Sequence, residues 1–444
     1  MLMSLCRRLP GLLILLSVVL VQPLAAQPAG IALVGGSLID GTGAPAVHNS
    51  IILISKGRID SIGTMGRLPI PESYQLISTE GMTVLPGLWD LHVHLLYNGH
   101  PDFEHWFSAY ADQFASVTIP ASAHQFLLAG VTSVRDLAAP TADIIAVRTR
   151  IRQGEIPGPS IYTSGAALVP AAGPTRPHLL AVEGARDAAE KTRGLIDAGV
   201  DIIKILGANA DSLDEMQAIV STAHAAGLRV SAHGRSDAEI RLGLAAGVDE
   251  FQHIGTGSAQ YPQDILDTIR ERIRTGNPLY WSPTIGLDLN ANNLAADHEF
   301  LDDPRNFVGL GPELELDVRQ AIASAQFRTR TPEVLATVKH KLQQLNELGV
   351  IMVSGSDMGT FGHPASEATW RELEAWVFEL GMDPLTAIRW ATSDAADYMG
   401  AGVQVGTISP GKIADVIAVR GSPLRHFSVL RNPVIVIKNG LRVK

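Results

Sequence analysis

Six polar side chains in this sequence interrupt otherwise apolar segments, and their types suit metal chemistry. His92 and His94 end the run Gly87-Leu88-Trp89-Asp90-Leu91-His92-Val93-His94. In a strand, residues i and i+2 share a face, so both imidazoles are aimed together and can hold one cation. The pair alone is ambiguous, since two core or surface histidines would read the same way. Lys204 stands among Ile202, Ile203, Ile205 and Leu206. A lysine desolvated there becomes a neutral nucleophilic amine that can capture carbon dioxide as a carbamate. That anion could bridge two cations; the alternative is a lysine ion-paired with an inward carboxylate. Val230-Ser231-Ala232-His233, Phe251-Gln252-His253 and Val353-Ser354-Gly355-Ser356-Asp357 end in further donors. One buried histidine is ordinarily a hydrogen-bonded core residue. The full set is harder to explain that way, and imidazole plus carboxylate without thiolate suits Zn²⁺, with Mn²⁺, Fe²⁺ or Co²⁺ as alternatives.

The elements that must position these residues follow from the apolar pattern. Strands are expected at Thr83–Leu91, Val131–Leu137, Ser160–Gly165, Asp201–Leu206, Arg229–His233, Glu250–Ile254, Leu279–Thr284 and Val350–Asp357. Helices are expected at Asp211–Ala226, Ser236–Ala246, Pro332–Leu348 and Ser366–Leu380. This α/β alternation predicts a (β/α)8 TIM barrel over residues 83–401, with the chemistry at the C-terminal strand ends. An open doubly wound sheet is the alternative, but no Gly-x-Gly-x-x-Gly turn follows a first strand. Gly286–Thr331 reads as a long irregular connection, expected to form a lid or rim. Short alternating segments near both termini predict a small β-sandwich domain formed by both chain ends, residues 27–82 and 402–444.

The chain has 444 residues, 46% apolar and 18% charged, with a net charge of −10. The acidic balance argues against nucleic acid as a partner, because phosphate binding needs a basic footprint. Met1–Ala26 reads as a signal peptide: Arg7 and Arg8, an apolar run from Leu12 to Val21, then Ala25-Ala26 suited to cleavage near Ala26. The expected location is periplasmic or secreted, with no stable membrane association after cleavage; a retained anchor is the alternative. Removing Arg7 and Arg8 takes the charge from −10 to −12, and removing Cys6 leaves no cysteine. Cysteine nucleophiles, thiolate sites and disulfides are thereby excluded from the mature chain.

In order along the chain, the His92–His94 run is followed by Gly130-Val131-Thr132-Ser133-Val134-Arg135-Asp136 and Asp201-Ile202-Ile203-Lys204. Gly355-Ser356-Asp357, Ala391-Thr392 and Gly411-Lys412-Ile413-Ala414-Asp415 come later. This set resembles the metal-dependent amidohydrolase superfamily, specifically its imidazolonepropionase-like and prolidase-like (Xaa-Pro dipeptidase-type) members. The resemblance reaches from the N-terminal β segment to Lys438-Asn439-Gly440. It implies two divalent cations, most readily zinc: His92, His94 and Asp357 on the more buried one, His233 and His253 on the second. Lys204, as N6-carboxylysine, would bridge both. It further implies hydrolysis of an amide-type C–N bond, with a bridging water acidified to hydroxide and Asp357 passing its proton to the leaving nitrogen. The expected substrates are small peptide-like molecules: dipeptides, N-acyl amino acids or xenobiotic amides. Esterase or lactonase action at the same centre is the alternative, because the same nucleophile attacks either carbonyl. A catalytically dead binding barrel is disfavoured by the complete donor set. A homo-oligomer is left open.

Four further residues carry weaker expectations. The loop Ala172-Gly173-Pro174-Thr175-Arg176-Pro177-His178 departs from the Gly-Gly-His loop frequent in similar proteins. Arg176 and His178 could grip a substrate carboxylate or steady an oxyanion, or belong to a solvated loop. Tyr97 could donate to substrate or simply pack, and His363 is a rim group or a plain loop histidine. Arg135 and Asp136 read as a structural ion pair or as support for the ligands.

Overall fold

The computed structural model describes residues 28–171, 176–207, 212–286, 299–326, 330–360 and 363–444. The expected signal peptide, Ala172–Thr175 and residues 287–298 of the expected rim lie outside the described residues.

Near the N-terminus the chain forms β1 (Gly30–Leu38), β2 (Val47–Ser55), β3 (Arg58–Thr64), β4 (Tyr74–Ser78) and β5 (Met82–Pro86). β6 (Leu88–Val93), β7 (Val131–Asp136), β8 (Ser160–Thr163), β9 (Ala167–Pro170) and β10 (Leu179–Val182) follow. Next come β11 (Ile203–Ile205), β12 (Val230–His233), β13 (Glu250–Gln252), β14 (Tyr280–Ser282) and β15 (Ile351–Met352). β16 (Val416–Arg420), β17 (Ile435–Lys438) and β18 (Leu441–Arg442) complete the set. Both chain ends lie in one sheet ordered β18-β17-β16-β5-β1-β2-β3, with β4 on β1. Period-two alternation explains its two apolar faces. Ile52 and Ile54 join Leu33, Val84, Val416 and Ile437 in one cluster, whereas Ile51 and Leu53 pack with Ala32 in another.

The middle of the chain builds two parallel sheets, β6-β7-β8 and β10-β9-β11-β12-β13-β14-β15. Asp201 N donates to Thr163 O at 2.8 Å, joining the end of β8 to the approach to β11. On the far side, the segment after β15 runs along β6: Leu91 N to Ser354 O, Asp357 N to His92 O and His94 N to Met358 O, each 2.8 Å. The donor-bearing strand ends are thus held around one volume.

Several expectations change. The strand expected at Thr83–Leu91 is two strands in different sheets, divided at Gly87. There a Cβ would sit 2.7 Å from Thr132 Cβ, so only glycine lets the chain pass from one sheet to the other. β9 and β10, four residues each, were not expected. The connection expected to be irregular between Gly286 and Thr331 contains a helix, Gly311–Ser324, that buries Leu314, Val318 and Ile322. Its Gly311-Pro312 start reads as a loop signal, yet proline is well placed in a first helical turn. The helix Asp237–Ala246 begins where the sequence places it, with a reciprocal Ser236–Glu239 capping box, and ends on Gly247 at φ 87°. Among the described residues no helix is long and apolar enough to cross a membrane.

Candidate active site

β6 delivers His92, and His94 follows one residue beyond its end. Asp90, buried one turn of the pleat earlier, accepts hydrogen bonds from Ser356 N at 3.0 Å, His92 N at 3.2 Å and Thr369 Oγ1 at 2.7 Å. It therefore pins the segment carrying Asp357 against the strand carrying the histidines. Gly355 makes that approach possible: a Cβ would lie 2.7 Å from His92 Cβ and collide with Ser282 Oγ. The result brings His92 Nε2 to 3.3 Å and His94 Nε2 to 3.1 Å from Asp357 Oδ1. His253 Nδ1 lies 3.8 Å from Asp357 Oδ2, and the His233 ring centre is 4.7 Å from that of His253. One ligating atom each of His92, His253 and Asp357 falls within 4.8 Å of the others. His253 (φ 70°), Thr284 (φ 51°) and Asp357 (φ 57°) occupy the left-handed region, at about 1–3 kcal/mol each. Such strain persists only where the surroundings enforce it, and here it aims the side chains inward.

Lys204 sits mid-β11, beside Ser231 of β12, with no exposed surface. Its amine has no hydrogen-bond partner. The inward carboxylate that could have paired with it, Glu250, is engaged by Arg135 through two bonds of 2.7 and 2.8 Å and by Tyr398 Oη at 2.9 Å. Arg135 is thus the structural ion pair the sequence suggested, with Glu250 as its partner rather than its neighbour Asp136. Burial lowers the Lys204 pKa to about 7, opposed by the charges of Glu250 and Asp357. Burial likewise holds His92, His233 and His253 well below the ordinary imidazole range, reinforced by Lys204 for the first two and by Arg235 for the third. The imidazoles are therefore neutral, the form that ligates. His92 Nδ1 and Nε2, His94 Nδ1 and Lys204 Nζ are all buried without partners. Orphaned groups of this kind each cost about 1–3 kcal/mol. Imidazole, carboxylate and amine converging on one volume fit divalent cations.

Asp136 steadies the turn after β6, accepting from Leu95 N at 2.8 Å and Ala138 N at 3.2 Å; burial raises it to about 6, against the pull of His94. That turn carries Tyr97, whose hydroxyl is 2.9 Å from His178 Nε2 and whose ring is 5.9 Å from His94. Phe107 stacks flat on His178 at 4.8 Å, and Phe103 stacks on Tyr97 at 4.3 Å. The Arg176 guanidinium lies over both phenylalanines, at 5.9 and 5.5 Å. His178 is only 3% exposed, and burial lowers it to about 3, so the solvated-loop reading fails for it. His363 is buried beyond Asp357, and its carbonyl accepts from Gly359 N at 3.3 Å. Sequence reasoning gave no role to Arg235, whose Nη2 is 3.7 Å from Asp357 Oδ2 and 3.4 Å from His253 Nε2. Nor did it assign Thr284, 2.8 Å from His253 Nδ1, or Glu372, which burial raises to about 8 and which accepts from Ile285 N and Gly286 N at the end of β14. Thr284 closes an expected strand and Arg235 lies two residues beyond one, but no local pattern announces the contact of either with His253.

The chain belongs to the amidohydrolase family, matched over residues 83–443, and is a hydrolase acting on carbon–nitrogen bonds. It is 27% identical to ochratoxinase from Aspergillus niger over 448 aligned residues, covering 90% of this chain and 83% of that protein. Over 71 residues, 15% of this chain and 17% of the relative, it is 39% identical to imidazolonepropionase from Legionella pneumophila (strain Lens). The solved structure of a Xaa-Pro dipeptidase with methionine bound in its active site is similar at TM-score 0.69 and 25% identity, covering 93% of this chain and 99% of that one.

Proposed function

We propose that the protein is an exported binuclear metalloenzyme that hydrolyses small amides whose acyl or amine part is an amino acid. The observation that carries this reading is the group of buried, partnerless donors on His92, His94 and Lys204 around Asp357. His92, His94 and Asp357 would hold the buried cation, His233 and His253 the second, and Lys204 would bridge them as N6-carboxylysine. The donor set favours zinc. We take β6–β8 and β11–β15 as the staves of a (β/α)8 barrel, with the terminal sheet folded over as a small β-sandwich. The contacts from the β15 segment to β6 support closure.

A bound metal pair supplies Lewis acidity to a carbonyl and lowers the pKa of water. The remaining work falls to the chain. Asp357 takes the proton of the attacking water and returns it to the departing nitrogen. Tyr97, fixed by His178, and Arg176 face the substrate side of His94, where they can orient a carboxylate or a developing oxyanion. The stacked Phe103 and Phe107 suit an aromatic or proline-like group beside that charge. The similarity to an ochratoxinase and a Xaa-Pro dipeptidase supports this substrate class. Export rests on residues 1–26, with cleavage near Ala26.

Metal-loaded protein should be assayed on N-acyl amino acids, X-Pro dipeptides and aryl esters side by side, with elemental analysis of the same preparation. Amide turnover and about two divalent ions per chain are expected; full activity without metal would refute the reading. Intact-mass analysis of exported protein should begin near Gln27, and uncleaved Met1 in the soluble fraction would refute export.

A further inference from the structure

Among the described residues, one other group of ligating side chains converges outside the central cluster. His100 lies in the loop after β6, His105 in the helix Phe103–Tyr110, and Asp317 in the helix Gly311–Ser324. Their ligating atoms fall within 4.8 Å of one another. His105 Nε2 is 2.8 Å and His100 Nε2 3.9 Å from Asp317 Oδ2. Ligands of a tetrahedral ion with bonds near 2.0–2.1 Å stand roughly 3.3 Å apart, so these separations bracket that value.

The His100 ring supplies the independent sign. It is 1% exposed, stacked on Trp106 at 5.1 Å, and its Nε2 has no hydrogen-bond partner. Burial holds its pKa below the ordinary range, although Asp317 pulls the other way. The Asp102 amide donates to Nδ1 at 3.2 Å, and the Asp102 carbonyl lies 3.0 Å from the same nitrogen. Nδ1 is thus held by the main chain, and the buried Nε2 is left facing Asp317 Oδ2 at 3.9 Å. A metal-ligating histidine likewise has its second ring nitrogen oriented by a neighbouring group. Tyr110 Oη, 2.9 Å from Asp317 Oδ2, orients the carboxylate in the same manner.

We propose that His100, His105 and Asp317 form a separate binding site for a single divalent cation of the zinc class, with water completing its shell. The three residues line an open depression of about 810 Å³ that Arg176 and Phe103 also line, so water has free access to the fourth position. The ion would clip the helix Phe103–Tyr110 to the helix Gly311–Ser324. The first of these carries Phe103 and Phe107 against Tyr97 and His178, so the clip would hold one wall of the active-site mouth. This site does not depend on the proposed binuclear centre.

Chelator-stripped full-length protein is titrated with Co²⁺, followed by visible absorption and by equilibrium dialysis with elemental analysis. The wild type is compared with His105→Ala, Asp317→Asn and His92→Ala. His105 is half-exposed, so its removal leaves the core intact. The wild type should bind one equivalent more than His105→Ala or Asp317→Asn, whereas His92→Ala should keep that equivalent while losing ions at the centre. Added Zn²⁺ should raise the Tm of His92→Ala by several degrees, and the double variant His92→Ala/Asp317→Asn by less. Equal stoichiometry in the wild type, His105→Ala and Asp317→Asn would overturn the site, as would an extra ion held only at millimolar concentration. Neither result would touch the reading of the central cluster.

Discussion

Lys204 is the side chain whose chemistry most separates the proposed centre from a structural core. Lys204→Ala should lower activity by at least about 100-fold, with partial recovery when a short carboxylate and metal together refill the bridge. Lys204→Arg should not support catalysis, since a guanidinium stays protonated and cannot form a carbamate. An arginine variant with full activity and two ions would make Lys204 structural. His178 gives a pH test. Its pKa is lowered to about 3 in the fold, so between the unfolded value near 6.5 and that point the unfolded chain binds more protons. Its contribution is complete above pH 6.5 and is lost as pH falls toward 3, an upper limit of about 5 kcal/mol. In metal-free protein, urea unfolding should therefore show stability falling over that window, and His178→Gln should flatten the slope; an unchanged slope would show that His178 titrates freely. Lys204 was legible because an amine among aliphatic residues is buried only with a partner or a function. Arg235 and Thr284 were not, since their contacts to His253 arise from backbone turns that no local pattern announces.

Elements enter through how closely they approach. Gly355 lets the segment after β15 lie against β6, and Gly355→Ala would press a methyl into Ser282 and His92. Overpacking of this kind costs about 1–3 kcal/mol and displaces its neighbours. The variant should unfold at lower urea and retain less metal, because His92 and Asp357 move apart together; wild-type stability and metal content would show that the strands can part without cost. The helix Asp237–Ala246 lies where the sequence placed one, and Ser236, Glu239 and Gly247 satisfy its orphan backbone groups locally. Helix Gly311–Ser324 was obscured because Gly311 and Pro312 punctuate loops as often as they open helices. β9 and β10 were not expected, and they are joined to each other and to β11 by pairing that only the fold brings about.

Across the whole molecule, the terminal sheet is fastened to the parallel strands by a buried pair. Lys438 Nζ donates to Asp415 Oδ2 at 2.6 Å and to Ser160 Oγ, at the start of β8, at 2.9 Å, while Asn439 N donates to Asp415 Oδ1 at 2.8 Å. Lys438→Ala would strand a buried carboxylate, which costs about 3–5 kcal/mol. Urea denaturation should show that loss, and Lys438→Ala/Asp415→Ala should recover part of it; a single variant as stable as wild type would mean that the pair is solvated. Local chemistry sufficed to single out candidate donors, the alternation of strands and helices and the two β-rich ends, because burial period and misplaced polar residues are properties of neighbours in the chain. Tertiary structure alone decided that Glu250 belongs to Arg135 and leaves Lys204 unpaired, that His178 is buried on Tyr97, and that His100, His105 and Asp317 converge. Each of these joins residues more than 80 positions apart or on different elements, and their distances depend on how whole strands and helices pack.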